Sequence, residues 1–264
     1  MSDSIIREER DNLKKEIENS IQTYIDNYQQ KDEIKSEWKK AVIKYAAADD
    51  PMFKELKNVV SEDHLMPEDI LSEARTVIAY FIPFSNKIVD SNIEGKYSSH
   101  QWAKAYVETN QLIAELNQHL KELFSEKGYQ ASLIAATNNF DKERLLSDWS
   151  HRHAAYIAGL GTFGINNMLI TEKGCAGRIG TIVTDLKLEA SERREKERCL
   201  NKAGFNCSRC VDRCVNGSLQ EDSFDRHKCY ELLIENDELH PESELTDVCG
   251  KCSVDLPCSF TSPV

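Results

Sequence analysis

Apolar residues in the first stretch of the chain recur at helical spacing: Ile6, Leu13, Ile17, Ile21, Ile25 and Tyr28 fall at intervals of three, four and seven. That periodicity predicts an amphipathic helix from Ser4 to about Tyr28 with a charged outer face. A second helix is expected from Asp32, as N-cap, through Trp38, Val42 and Tyr45. Both helices read as packing elements or as a docking arm. From Ala46 to Met66 the pattern is irregular, punctuated by Pro51 and Pro67. The apolar run Thr76 to Ile82, stopped by Pro83, reads as a buried strand, and a long helix follows from about His100 to Ser125, with Gly128 near its C-terminal end. Tyr129 to Ala135 and Ile179 to Thr184 are expected as further strands, and Glu189 to Arg198 as a charged helical linker. Helices placed between strands predict an α/β sandwich.

No apolar run approaches the length needed to span a bilayer, and the start, MSDSIIREERDN, has no apolar export core, so a cytoplasmic globular protein is expected. The 264 residues suffice for one substantial core and a small additional module. Lys and Arg number 33 against 45 Asp and Glu, a net charge of −12 that repels phosphate backbones. The one dense basic patch, Arg193 to Arg198, is interrupted by Glu195 and Glu197 and reads as a solvated linker. Nucleic acid is therefore not an expected partner.

Chemistry enters with the cysteines. Of nine, eight lie in the last third of the chain: Cys199, the run Cys207-x-x-Cys210-x-x-x-Cys214, Cys229, the pair Cys249-x-x-Cys252, and Cys258. Eight thiolates are what two [4Fe–4S] clusters require, and in two-cluster ferredoxins the closing cysteine of each run ligates the other cluster. A disulfide framework belongs to small secreted chains. Structural zinc, bound by paired C-x-x-C units, is the alternative, but the C-x-x-C-x-x-x-C run fits a cube better. Such a chain moves electrons.

Gly159-Leu160-Gly161-Thr162-Phe163-Gly164 matches the G-x-G-x-x-G dinucleotide fingerprint in the wrong setting. The fingerprint leaves a strand and opens a helix, whereas this one follows a helical stretch, Trp149 to Ala158, and precedes the apolar Met168 to Ile170. A helix cap and turn, or exposed backbone lining a pocket for another flat cofactor, are the remaining readings. His151 and His153, two apart on a helix, point to different faces and make poor joint metal ligands. Asp141 and Asp148 are the nearest carboxylates, with helix capping as their ordinary role.

From about Pro67 to Cys258 the chain resembles the epoxyqueuosine reductase family, cobalamin-dependent iron–sulfur enzymes related to reductive dehalogenases. The resemblance is carried by PEDILSEARTVIAYFIP (Pro67 to Pro83), by Arg152 with AGLGTFGINNMLIT (Ala158 to Thr171), and by the cysteine array around FDRHKCYELLIE. It implies a nitroreductase-like α/β sandwich that cradles a corrinoid, followed by a two-cluster ferredoxin-like module. On that basis residues 1–66 form a helical arm and lead-in, 67–190 the cofactor-binding core and 191–264 the cluster module. Cys199, Cys207, Cys210 and Cys258 would hold one cluster. Cys214, Cys229, Cys249 and Cys252 would hold the one nearer the corrinoid.

Departures from the family pattern are specific. Gly204 stands where the first cysteine of the usual run is found, Val215 replaces a proline, and Ile165 replaces a lysine while Asn166 is kept. The family's C-P-W-N-like closing element is Pro257-Cys258-Ser259-Phe260 here, after a longer gap. The family's catalytic aspartate would fall near Leu145, with Asp148 the closest acid. The repeat-type extension that helps some members hold tRNA has no counterpart before Val264.

The expectation is a divergent reductase that passes electrons from a flavodoxin- or ferredoxin-like donor through two [4Fe–4S] clusters to cobalamin, and on to a small substrate rather than tRNA. Asp148, His151 and Tyr156 are the candidate proton donors. Gly159, Gly161, Gly164, Asn166, Leu169, Thr171 and Cys175 are the candidate cofactor contacts. Cys175, outside the array, reads as a buried hydrophobe, as a pocket residue, or as a cluster ligand in place of Cys199. Two alternatives stand beside this expectation: an electron carrier that reduces a partner protein or its bound corrinoid, and a flavin reductase.

Overall fold

The computed structural model describes residues 3–135, 140–241 and 245–264. At its centre lies strand β2 (Thr76–Pro83), every residue of which is buried. It pairs antiparallel with β1 (Val42–Ala47) on one side and with β6 (Gly177–Thr184) on the other. The two-residue strand β3 (Ala131–Ser132) completes the order β1-β2-β6-β3. Side chains alternate across a strand. Ile78, Tyr80 and Ile82 accordingly join the core under α1 (Asp3–Tyr28) and α5 (His100–Glu126). Val77, Ala79 and Phe81 join the core under α2 (Pro51–Val59) and α6 (His151–Ile157). Helices cover both faces, which is why β2 reads as an unbroken apolar run. The α/β class is as expected.

The first helix is a packing element, not a free arm. Ile17, Ile21 and Ile25 have no exposed surface and meet Leu112, Ile113 and Leu116 of α5 in one core. The long helix α5 begins at the cap Ser99, whose hydroxyl accepts from Trp102 N, and it ends ahead of Gly128 in the left-handed region.

Four expectations need correction. The helix predicted through Trp38, Val42 and Tyr45 is loop followed by β1, because the β-branched Val42-Ile43 pair has a sheet edge on β2 to join. The irregular stretch from Ala46 to Met66 contains α2, where Asp50 caps Met52 N at 3.0 Å and Pro51 sits at the first helical position. Proline starts this helix, and likewise α3 (Pro67–Ile70), because no N–H is needed there. The strand predicted from Tyr129 to Ala135 shrinks to two residues, paired only with Val183 and Thr184. Residues 189–198 are irregular rather than helical, held by Ser191 N to Tyr45 O at 2.8 Å and by an ion pair between Arg193 and Asp50.

The cysteine-bearing segment is mostly loop, with a short helix α7 (Arg209–Asp212), α8 (Arg226–Glu238) and a 3-10 turn at Lys251–Ser253. It is fastened to the chain between α4 (Asn86–Ser91) and α5. The buried Lys251 ammonium donates to Asn92 O at 2.8 Å and Glu94 O at 2.6 Å, and Asn92 Nδ2 donates to Cys249 O at 2.8 Å. The Asn236 side-chain oxygen accepts from both Ser98 N and Ser98 Oγ. Among the described residues no helix is long and apolar enough to cross a membrane.

Candidate functional site

All nine cysteines are free thiols, and each lines one of two cavities. A cavity of about 530 Å³ lies where α6 and the start of β6 face the C-terminal loops, and Cys214, Cys229, Cys249 and Cys252 are on its wall. A second, small cavity of about 20 Å³ is lined by Cys199, Cys207, Cys210 and Cys258. The groupings also show in the electrostatics. Burial pushes the Cys210 thiol up to about 12, with Cys258, Cys199 and Cys207 adding to the rise. Burial likewise raises Cys252, with Cys249, Cys229 and Cys214 next. Burial would raise Cys214 as well, but hydrogen bonds from Ser218 Oγ at 3.4 Å and Leu219 N at 3.3 Å outweigh it and hold the thiol low. Donors aimed at sulfur suit a thiolate that carries iron.

Cys175 stands between the two groups. It lines the larger cavity, hydrogen-bonds the Cys258 side chain and sits with Cys199 in one buried cluster. Asn166 bridges the groups from the other side, its Nδ2 donating to Cys252 O at 2.7 Å. Among the described residues no three His, Cys, Asp or Glu side chains close on a point that would hold a single metal ion. Four sulfurs around a hollow is instead the donor set that a cube takes.

The glycine loop is an antiparallel hairpin of β4 (Gly161–Phe163) and β5 (Leu169–Thr171), so the strand-to-helix setting of a dinucleotide site is absent from it. Its glycines answer to neighbouring protein. A Cβ on Gly159, in the left-handed region, would lie 2.7 Å from Glu192 O, and one on Gly161 would lie 2.3 Å from Ile170 O. Gly164 faces the smaller cavity; a Cβ there would lie 2.5 Å from Asn166 Oδ1. Asn166, Leu169 and Cys175 line the larger cavity. Thr171 is buried, its hydroxyl donating to Gly174 O at 2.9 Å.

Of the candidate acids, His151 faces the larger cavity, whereas Asp148 and Tyr156 are not on its wall. Asp148 is exposed, and Tyr156 packs on Phe163 with ring centroids 5.7 Å apart. His151 Nε2 lies 2.8 Å from Ala135 O, a pure acceptor, so Nε2 carries the proton. Its Nδ1 then accepts from Thr181 Oγ1 at 2.8 Å, and Thr181 Oγ1 accepts from Trp149 Nε1 at 3.0 Å. Burial also pushes the ring's pKa down, so His151 is held neutral.

Two neighbours share that fate. Burial, then the charge of Arg152, lowers His153 to about 4, and burial lowers His64. An unfolded chain protonates these rings below about pH 6.5, while the folded chain resists. The stabilisation is complete above about pH 6.5 and fades as the pH falls toward 4. Between pH 7.5 and 5 the urea-unfolding free energy is expected to drop, with His153 contributing about 1 kcal/mol after allowance for its partial exposure. His153→Gln should flatten part of the slope; an unchanged slope would show that the ring is not held neutral.

The sequence reading missed three groups on the wall: Tyr106 from α5, Arg178 from β6 and Asp247 from the loop before Cys249. Tyr106 Oη donates to Asp247 Oδ1 at 2.7 Å, and the Arg178 guanidinium lies 4.5 Å from the Tyr106 ring centroid. Burial holds the Asp247 carboxyl above the usual range.

No protein-family model and no curated protein sequence matches this chain. Solved structures do. An epoxyqueuosine reductase from Streptococcus thermophilus matches 94% of this chain and 68% of its own at 15% identity, with a TM-score of 0.56. A catabolic reductive dehalogenase solved with 3-bromo-4-hydroxybenzoic acid matches 84% of this chain and 30% of its own at 15% identity, TM-score 0.55. A reductive dehalogenase described with a mechanism for B12-dependent dehalogenation matches 80% and 29% at 15% identity, TM-score 0.52. The chain thus spans about two thirds of the length of the epoxyqueuosine reductase and under a third of the dehalogenases. At such identities the likeness concerns architecture, and by architecture this chain has the fold shared by epoxyqueuosine reductases and reductive dehalogenases.

Proposed function

We propose that the chain is a corrinoid-dependent iron–sulfur reductase acting on a small substrate. The observation that carries this reading is the distribution of the eight array cysteines, four around a small hollow and four, with Cys175 beside them, on the wall of a cavity of about 530 Å³. Cys199, Cys207, Cys210 and Cys258 would hold one [4Fe–4S] cluster, and Cys214, Cys229, Cys249 and Cys252 the other. Buried thiols with raised pKa values give up their protons when iron binds, so cluster loading and deprotonation are coupled. The buried Lys251 ammonium and the Arg152 guanidinium, which feels the charge of Cys252 and Cys229, offset the negative charge of the second site.

The larger cavity falls in the size range of cofactor sites, and Phe81, Leu169 and Ile179 give it the apolar wall that a corrin ring needs. When bound there, cobalamin supplies the reducing chemistry at cobalt. The chain's own residues orient substrate and exclude water. Asn166 and Cys175 connect the second cysteine group to the first. Of Asp148, His151 and Tyr156, only His151 lines the cavity, and with its Nε2–H donating to Ala135 O and its Nδ1 accepting from Thr181 Oγ1 it would serve as a neutral, fixed part of the wall. Electrons would enter from a flavodoxin- or ferredoxin-like protein at the first cluster. The acidic charge of −12 favours a small substrate over tRNA.

The test is an anaerobic electron paramagnetic resonance spectrum of iron-reconstituted protein titrated with cob(II)alamin. A saturable change in the cobalt signal is expected. A free-cofactor signal beside two reducible clusters would replace this reading with that of an electron carrier.

A further inference from the structure

In a chain of net charge −12, three guanidiniums face one cavity: Arg152 from α6, Arg178 from β6 and Arg226 from α8. Among the described residues none of the three has a carboxylate within salt-bridge distance. Like charges drawn together without counterions are unfavourable unless something else supplies the negative charge. For Arg152 that is the second cysteine group. Its guanidinium is exposed, donates to Asn167 O at 2.6 Å, and feels the charges of Arg178, Cys252, Cys229 and Arg226.

Arg178 is different. Its Nη2 donates to Asn110 Oδ1 at 2.6 Å and its plane is held on the Tyr106 ring, 4.5 Å from the centroid. Its Nε is buried with no hydrogen-bond partner among the described residues. The neighbouring acid, Asp247, takes its hydrogen bond from Tyr106 instead. The guanidinium is therefore positioned and oriented by the protein yet under-satisfied by it, beside the aromatic walls of Trp102 and Tyr106. A planar cation held this way is suited to a carboxylate or a phosphate.

We propose that the substrate is an organic anion, bearing a carboxylate or a phosphate ester, whose charged group is received by Arg178 while its apolar part lies on the aromatic wall. Arg226, at the start of α8, adds a second positive charge at the cavity. This rests on the corrinoid-reductase reading for the word substrate; the anion site itself stands on the arginines.

The experiment is calorimetric binding of phenylacetate, phenyl phosphate and the uncharged phenylacetamide to cluster-reconstituted protein, with and without cobalamin. At least one of the two anions should bind, and phenylacetamide should bind more weakly. Arg178→Gln should weaken the anion roughly 10- to 100-fold and leave the amide unchanged, with Arg178→Lys restoring part of the loss. The comparison of acid with amide needs no variant, so a folding defect in Arg178→Gln does not blunt the test. Equal binding of acid and amide, no binding of either anion, or full anion affinity in Arg178→Gln would each overturn the proposal. So would an Arg178→Gln that weakens cobalamin but spares cobinamide, which lacks the nucleotide-loop phosphate, because the arginine would then serve the cofactor. Selective anion binding in a protein that does not bind cobalamin would uphold the anion site and remove the reductase reading instead.

Discussion

Serine in place of Cys258 is expected to strip roughly half the iron from the reconstituted protein, because a cube loses one of its four thiolates. Cys258 shares its hollow with Cys199, Cys207 and Cys210, and no other of the nine cysteines lies on that wall. Cys252→Ser should remove a similar share from the other group, leaving the first site's signal in place. Cys175→Ser is the informative control. Its thiol meets Cys258 side chain to side chain and faces the larger cavity, so serine there should keep the iron. Metal analysis with resonance spectra reads all three variants at once. Full iron in Cys199→Ser together with loss in Cys175→Ser would exchange the two ligands. Zinc in place of iron in the native protein would end the cluster assignment. The expected effect is large because two of the four thiols on the hollow, Cys199 and Cys210, are buried, and burial holds Cys210 up to about 12 without metal. Such a site is poorly suited to standing empty.

How much of this was legible in advance follows from the range over which each signal acts. The spacing of Ile17, Ile21 and Ile25 is local, and it specified a helix whose partner α5 is equally periodic. The eight-residue strand β2 was legible for the same reason. Trp38, Val42 and Tyr45 have helical spacing too, but whether Val42 pairs with Phe81 is decided by a strand some 40 positions away. No local pattern carries that information. Pro51 misled because proline was read as a breaker when Asp50 before it made it a helix start. At the site, the cysteines announce themselves by type and spacing. Tyr106, Arg178 and Asp247 do not: each is an ordinary residue of its own element, and they meet only when α5, β6 and the loop before Cys249 converge. The glycine fingerprint shows the converse. Gly161 is required by the approach of Ile170 O across a hairpin, so a motif that suggests a ligand is satisfied by the fold itself.

Alanine at Gly250 should be strongly destabilising. Gly250 lies within the Cys249-x-x-Cys252 pair at φ +73, a conformation that costs a residue with a Cβ about 1–2 kcal/mol. A Cβ there would also lie 2.2 Å from Trp102 Cε2. The indole cannot easily withdraw: it is 5% exposed and stands edge-on to Phe84, ring centroids 5.1 Å apart. Overpacking of this kind adds about 1–3 kcal/mol, for a sum of roughly 2–5 kcal/mol. Gly204→Ala separates the two contributions, since Gly204 has φ +90 but nothing within 4 Å of its would-be Cβ. Urea unfolding of the two variants should differ by the crowding contribution alone. The difference matters beyond stability, because Asn92 and Lys251 fasten this turn to the segment entering α5. Displacing the turn moves Cys249 and Cys252 together, so Gly250→Ala should lose iron from the second site while Gly204→Ala keeps it. Equal losses of stability in both variants would mean that Trp102 yields, and that the turn is held by its backbone conformation rather than by the indole packed against it.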